Sequence, residues 1–140
     1  MTTASKFIVS LAVAALTFVS VASAEVVLIA NPSVQEDALP SRDVKDIFLG
    51  ARSRLAAGPV TPVLLREGAT HDEFLTTQIG RSPVQFQTHW RNIVFTGKGK
   101  ALASFESESA VVDYVKSTSG AIGYVSAATP TDGVKVVKVE

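Results

Sequence analysis

The chain has 140 residues, with 13 Lys or Arg, 13 Asp or Glu and no cysteine. The absence of cysteine excludes disulfide bonds, thiolate catalysis and cysteine-ligated metals. Because the charges balance, the protein has no overall field that would gather nucleic acid or an anionic membrane, and any anion binding must be local.

The first 24 residues have the pattern of a secretory signal peptide. Lys6 precedes an apolar run over residues 7–21, and Ala22-Ser23-Ala24 places small residues at the positions of a cleavage site. The run is shorter than the roughly 20 residues that a membrane-spanning helix needs. We therefore expect cleavage after Ala24, a periplasmic location, no membrane-embedded part after cleavage, and one mature domain over residues 25–140.

Short apolar runs alternate with segments of helical spacing along the mature chain. Apolar runs bounded by turn residues predict strands, whereas apolar residues three or four positions apart behind a capping residue predict helices. The predicted elements are, in chain order, a strand at 26–30, a helix from Ser41 to Gly50, a strand at 60–65, a helix at 71–79, a helix from Ser82, a helix from Ser107 or Ser109 to Gly120, and strands at 121–125 and 134–139.

This alternation predicts an α/β fold in a single three-layer domain. The last two strands flank a turn at Gly133 and could pair antiparallel. We therefore expect a mixed, mostly parallel sheet.

The turn after the second strand has the features of an anion site. Arg66 follows the strand, Gly68 lets the backbone approach a ligand closely, and Thr70 opens a helix. The first amides of that helix and its dipole favour negative charge, and the guanidinium could add two parallel bonds to phosphate or sulfate. In the alternative interpretation, Thr70 and Glu73 form a capping box and Arg66 pairs with a surface glutamate.

Elsewhere the sequence lacks the patterns of catalytic and metal sites. The loop Thr96-Gly97-Lys98-Gly99-Lys100 lacks the spacing of a P-loop, so a solvated basic loop is its expected role. His71 and His89 have no second ligand at metal spacing, and no G-x-S-x-G motif occurs. We therefore expect no metal, no cofactor and no enzymatic activity.

Four stretches resemble, in the same order, segments of the periplasmic phosphate-binding proteins of ABC transporters. "DVKDIFLGA" is similar to that family's L-x-x-I-F-x-G segment, and "VTPVLLREGATHDEF" to its next strand and R-x-x-G-S-G-T loop. "HWRNIVFTGKGK" and "SGAIGYV" are similar to its later helix, loop and strand. The resemblance covers nearly the whole mature chain and implies a fold like one lobe of a type II periplasmic binding protein.

Carried over by position, the resemblance implies ligand contacts by Arg66, Gly68, Ala69, Thr70 and His71. Arg66 would bind the anion, while the loop residues would supply backbone contacts and Thr70 a hydroxyl. Ala69 stands where the family tends to have serine, which removes one donor.

The leading hypothesis is a periplasmic solute-binding module for inorganic phosphate or a similar oxyanion. Because the mature chain corresponds to one lobe, tight capture would need a second surface, from ABC transporter membrane components or from a homodimer. The alternative is an envelope interaction or sensor protein that kept the fold without ligand capture. Nucleic acid is not an expected partner.

Overall fold

The structure is a computed structural model and describes residues 25–140, so the predicted signal peptide at residues 1–24 lies outside the described residues. The described part contains no helix long and apolar enough to cross a bilayer. Its elements are, in chain order, β1 (Val26–Ala30), β2 (Ala38–Leu39), α1 (Ser41–Phe48), β3 (Arg54–Leu55), β4 (Gly58–Pro59), β5 (Thr61–Leu65), α2 (Ala69–Phe74), a π-helical turn (Leu75–Ile79), α3 (Pro83–Phe95), β6 (Ala103–Phe105), α4 (Glu108–Ser117), β7 (Ala121–Ser126) and β8 (Lys135–Val139).

Six strands form one mixed sheet in the order β2-β8-β1-β7-β5-β6. Strand β1 pairs antiparallel with β7 and with β8, whereas the β2–β8, β5–β6 and β5–β7 pairs are parallel. The predicted mixed, mostly parallel α/β sheet is therefore confirmed. Strands β7 and β8 do not pair around Gly133 as the sequence suggested, because β1 lies between them.

Helices cover both faces of the sheet. Neighbouring residues of a strand point to opposite faces, and β7 shows both layers. The Tyr124 ring contacts Phe48 of α1 and Phe74 of α2. A Cβ atom at Gly123 would lie 2.9 Å from a methyl group of Val111, so this glycine lets α4 pack close to the opposite face. The arrangement is the predicted three-layer domain, with its aliphatic and aromatic core between the layers.

Two helices begin at capping serines, as the sequence predicts. The Ser82 hydroxyl accepts from the Gln85 amide at 3.2 Å, and the Gln85 side chain accepts from the Ser82 amide at 3.0 Å. This capping box precedes Pro83, the first residue of α3. At the start of α4, the Ser107 hydroxyl accepts from the Ala110 amide at 3.1 Å. These side chains satisfy amides that a helix start leaves without partners.

Two side chains of helix α3 form hydrogen bonds with the C-terminal end of α1. Trp90 Nε1 donates to the Phe48 carbonyl at 2.9 Å, and His89 Nε2 donates to the Leu49 carbonyl at 2.7 Å. Both carbonyls end α1, where intrahelical donors run out. Within α3 only Phe86 is fully buried. Much of the helix therefore stands beside the sheet as one wall of a cleft.

Candidate functional site

The turn between β5 and α2 is organised by a glycine. Helix α2 begins at Ala69, and Gly68 takes the N-cap position with a φ of 112°, a backbone region open mainly to glycine. The Gly68 carbonyl accepts the first helical hydrogen bond, from the Asp72 amide at 3.0 Å. The capping box expected for Thr70 and Glu73 does not form, because the helix starts before Thr70 and has no side-chain cap.

Three backbone amides at the start of α2 have no protein acceptor. Within residues 25–140, the amides of Ala69, Thr70 and His71 donate to no backbone or side-chain oxygen. A helix start leaves such donors unpaired, and the aligned peptide dipoles add partial positive charge there. The turn thus presents N–H donors to an acceptor from solution.

The Arg66 side chain lies on the surface beside this turn. Its Nη1 atom is 2.7 Å from Glu106 Oε1, and the two side chains are 56% and 80% exposed. An ion pair this exposed contributes only about 0–1 kcal/mol. The guanidinium also has five N–H donors, so most of its capacity remains after this bond. The pair matches the surface arginine–glutamate contact of the alternative interpretation, although the capping box of that interpretation is absent.

His71 is held by a chain of buried hydrogen bonds. Tyr124 Oη accepts from the Leu65 amide at 3.1 Å and contacts His71 Nδ1 at 2.5 Å. Because the Leu65 amide can only donate, the hydroxyl proton is free to be donated to Nδ1, which leaves the imidazole proton on Nε2.

Burial keeps both rings in their neutral forms. It lowers the pKa of His71 below its usual value, and the nearby Asp72 carboxylate opposes this only in part. Burial also raises the pKa of Tyr124 above its usual value. His71 is therefore a neutral side chain with an N–H donor at pH 7.

A cleft of about 700 Å³ opens between this turn and α3. Its charged and polar lining from the turn comprises Arg66, Glu67, His71 and Asp72, with Arg91 on α3. The other wall residues are mostly apolar and include Leu64, Phe86, Trp90, Val94, Phe95 and Leu102. A cleft of this size has room for far more than a tetrahedral oxyanion.

The five residues predicted to bind a ligand lie in two places. Arg66 and His71 line the cleft, whereas Gly68, Ala69 and Thr70 form the turn beside it and are not part of the lining. The two lysines of the glycine-rich basic loop are also outside the lining. The turn residues offer backbone and hydroxyl donors, and the cleft residues offer side chains.

Three residues of the site were not predicted from the sequence: Tyr124, Glu106 and Arg91. A tyrosine inside an apolar strand was a usable signal, because a buried hydroxyl needs a hydrogen-bond partner. Glu106 and Arg91 reach the site only through the positions of β6 and α3, which no local pattern encodes. In the part of the chain that the structure describes, no three metal-ligating side chains come together.

No protein-family model matches the chain, and no curated protein matches its sequence. Solved structures match its fold. An ABC-type phosphate transport receptor from Vibrio cholerae superposes with a TM-score of 0.63 at 14% identity, over 81% of this chain and 45% of the receptor. A phosphate ABC transporter substrate-binding protein from Clostridium perfringens, with bound phosphate, gives 0.62 at 20% identity, over 81% of this chain and 44% of its own.

A third structure, PstS from Borrelia burgdorferi, gives a TM-score of 0.61 at 11% identity, over 82% of this chain and 47% of its own. The chain thus spans less than half the length of each of these proteins. At such low identity the likeness concerns the fold. The chain has the α/β fold of one lobe of the phosphate-binding proteins of ABC transporters, as its ordered motifs predicted.

Proposed function

We propose that the protein is a periplasmic binding module that holds phosphate or a similar oxyanion at the turn between β5 and α2. One observation carries the proposal. The amides of Ala69, Thr70 and His71 have no acceptor within the described residues, and they follow a glycine N-cap close in sequence to Arg66. The fold shared with phosphate-binding proteins supports the same ligand class.

Each group would contribute differently to binding. The backbone amides are fixed by α2 and need no reorganisation to meet an anion. Arg66 would add positive charge and two parallel N–H donors, which suit a tetrahedral oxyanion. The Thr70 hydroxyl and the neutral Nε2–H of His71 would add donors that carry no charge.

The surrounding acids and the open cleft limit the affinity of a single chain to the micromolar range. Glu67 and Asp72 line the cleft and repel an anion, and Glu106 competes for Arg66. Charge-assisted bonds are also weak where water has access, because the effective dielectric constant is high. A homodimer or a membrane component of a transporter would strengthen binding by covering the turn.

Calorimetric titration of residues 25–140 with phosphate and sulfate tests the proposal. We expect micromolar phosphate binding, weakened about tenfold or more by Arg66→Ala because a charged, bidentate donor is lost. Glu106→Gln should strengthen binding about threefold, since it removes a competing charge at an exposed ion pair.

The matched control is Arg42→Ala, which removes an exposed arginine of α1 that does not line the cleft. Its affinity should equal that of the wild type. Millimolar or absent phosphate binding by the wild type would contradict the proposal and favour an envelope interaction or sensor protein that kept the fold without ligand capture.

A further inference from the structure

Exposed apolar side chains are concentrated on α3. Of the large hydrophobic residues exposed in the described chain, three belong to this helix: Val84 at 72%, Val94 at 44% and Phe95 at 91%. Phe95 is the last residue of α3, so its ring stands in solvent at the helix end. Scattered exposed apolar residues are ordinary, but a cluster on one element indicates an interaction surface.

Although the positive and negative charges of the whole chain balance, the segment that contains α3 is basic. No Asp or Glu occurs between Glu73 and Glu106, whereas four cations do: Arg81, Arg91, Lys98 and Lys100. None of these four forms an ion pair with another residue of the described chain. We call these four cations, together with Val84, Val94 and Phe95, the α3 surface. The segment from residue 74 to residue 105 therefore carries four positive charges and no negative one, although the whole chain is close to neutral.

Apolar and basic side chains of the α3 surface share one face of the helix at three positions. Val84, Arg91 and Phe95 are separated by seven and four positions, which places them on one helical face, and all three line the cleft. Lys98 and Lys100 follow Phe95 in a loop whose glycines alternate with them. Apolar side chains flanked by Lys and Arg are typical of helices that lie in the interfacial layer of a membrane.

We propose that the α3 surface docks onto an anionic phospholipid bilayer. Phe95 and Val94 would enter the boundary between headgroups and acyl chains, while Lys98 and Lys100 extend to lipid phosphates. A second copy fits less well, because a two-fold contact through this surface would oppose its cations to one another. A lipid surface is apolar beneath an anionic layer, so it complements an exposed aromatic ring followed closely in the chain by two exposed lysines.

Vesicle co-sedimentation of residues 25–140, which contain the whole described fold, tests this docking. We expect binding to vesicles of phosphatidylglycerol and phosphatidylcholine, none to phosphatidylcholine alone, and a loss of about tenfold in affinity at high salt. The double variant Lys98→Gln, Lys100→Gln should bind about twentyfold more weakly. Phe95→Ser should bind about tenfold more weakly. All three positions are exposed, so these changes leave the core intact.

Matched controls come from β8, which lies outside the α3 surface. Val136→Ser removes the remaining exposed large hydrophobic residue of the described chain, and Lys138→Gln removes an exposed cation. Neither should change vesicle binding. Equal binding to neutral vesicles, an unaffected Phe95→Ser variant, or an equal loss in the controls would overturn the proposal. Binding to polyglutamate without binding to anionic vesicles would also overturn it, in favour of an acidic protein partner.

Discussion

At the scale of single residues, Tyr124 connects the core to the candidate site. Its side chain is fully buried between α1 and α2, yet its hydroxyl joins the Leu65 amide at the end of β5 to His71 in α2. An unpaired hydroxyl at this depth would cost about 1–3 kcal/mol. The bonds therefore stabilise the fold and also fix the orientation and tautomer of an imidazole that lines the cleft.

We expect His71 to make the protein less stable as the pH falls below about 6.5. Burial lowers the pKa of His71 in the folded state, so the unfolded state binds more protons in this window. The free energy of unfolding must then rise with pH, by at most about 1.4 kcal/mol per pH unit for one group. Urea unfolding at pH 5 and pH 7.5 measures the effect.

The His71→Gln variant should lose less stability between these pH values than the wild type. Thr88→Ala is the control, because Thr88 is an exposed residue of α3 without a titratable group. This control should keep the wild-type pH dependence. If the wild type and His71→Gln lose the same free energy on acidification, His71 is not the group responsible.

Single residues also show where sequence patterns compete. The run from Thr70 to Glu73 fits a capping box, but α2 begins at Ala69 because Gly68 adopts a left-handed φ that ends the preceding turn. The capping pattern at Thr70 and the glycine at position 68 are both local signals, and the sequence alone does not show which of them sets the start of the helix. It correctly indicated a glycine turn before a helix, with Arg66 just upstream, and it assigned the wrong N-cap.

At the scale of elements, the sequence predicted the longer strands and helices and missed the shortest strands. Helices α3 and α4 carry capping serines, and β1, β5 and β7 are mostly apolar strands of five or six residues. Strands β2, β3, β4 and β6 have only two or three residues, too few to show a period. They exist because a neighbouring strand offers hydrogen bonds, which is tertiary information.

The connection from α4 to β7 depends on Gly120. Its φ is +74°, and a Cβ atom there would overlap the Pro59 carbonyl oxygen. We expect Gly120→Ala to lower the free energy of unfolding by about 3 kcal/mol or more, since left-handed strain of about 1–2 kcal/mol adds to a clash with rigid backbone. Chemical denaturation of the purified variant measures this loss.

Gly80→Ala separates the two contributions. Gly80 has a φ of +71°, but a Cβ atom there would meet nothing within 4 Å. This variant should therefore lose only the strain, about 1–2 kcal/mol. Equal losses at the two positions would contradict a steric role for Pro59.

At the scale of the whole molecule, the fold was predictable and the surface was not. Four motifs in a fixed order predicted the α/β lobe, because each motif marks a strand or helix start that the fold requires. The Arg66–Glu106 pair follows from the parallel pairing of β5 with β6, which places Leu65 beside Phe105. The cleft and the exposed face of α3 depend on how far α3 stands from β5 and β6. That distance follows from packing at the end of α1, through Trp90 and His89.

The position of β1 limits where the predicted signal peptide can be cleaved without damage to the fold, and this can be tested on the whole protein. The Glu25 carbonyl accepts from the Ala127 amide at 2.8 Å, and β1 begins at Val26. Cleavage after Ala24 would therefore leave the central strand and its first backbone contact complete.

We expect the intact mass of protein isolated from the periplasm of an expressing bacterium to correspond to residues 25–140. Replacing the small residue at the cleavage position, with Ala24→Leu, should leave the precursor uncleaved, whereas Glu25→Gln should be processed normally. A periplasmic product that starts beyond Val26 would contradict this boundary, because β1 would lose its pairing with Ser126.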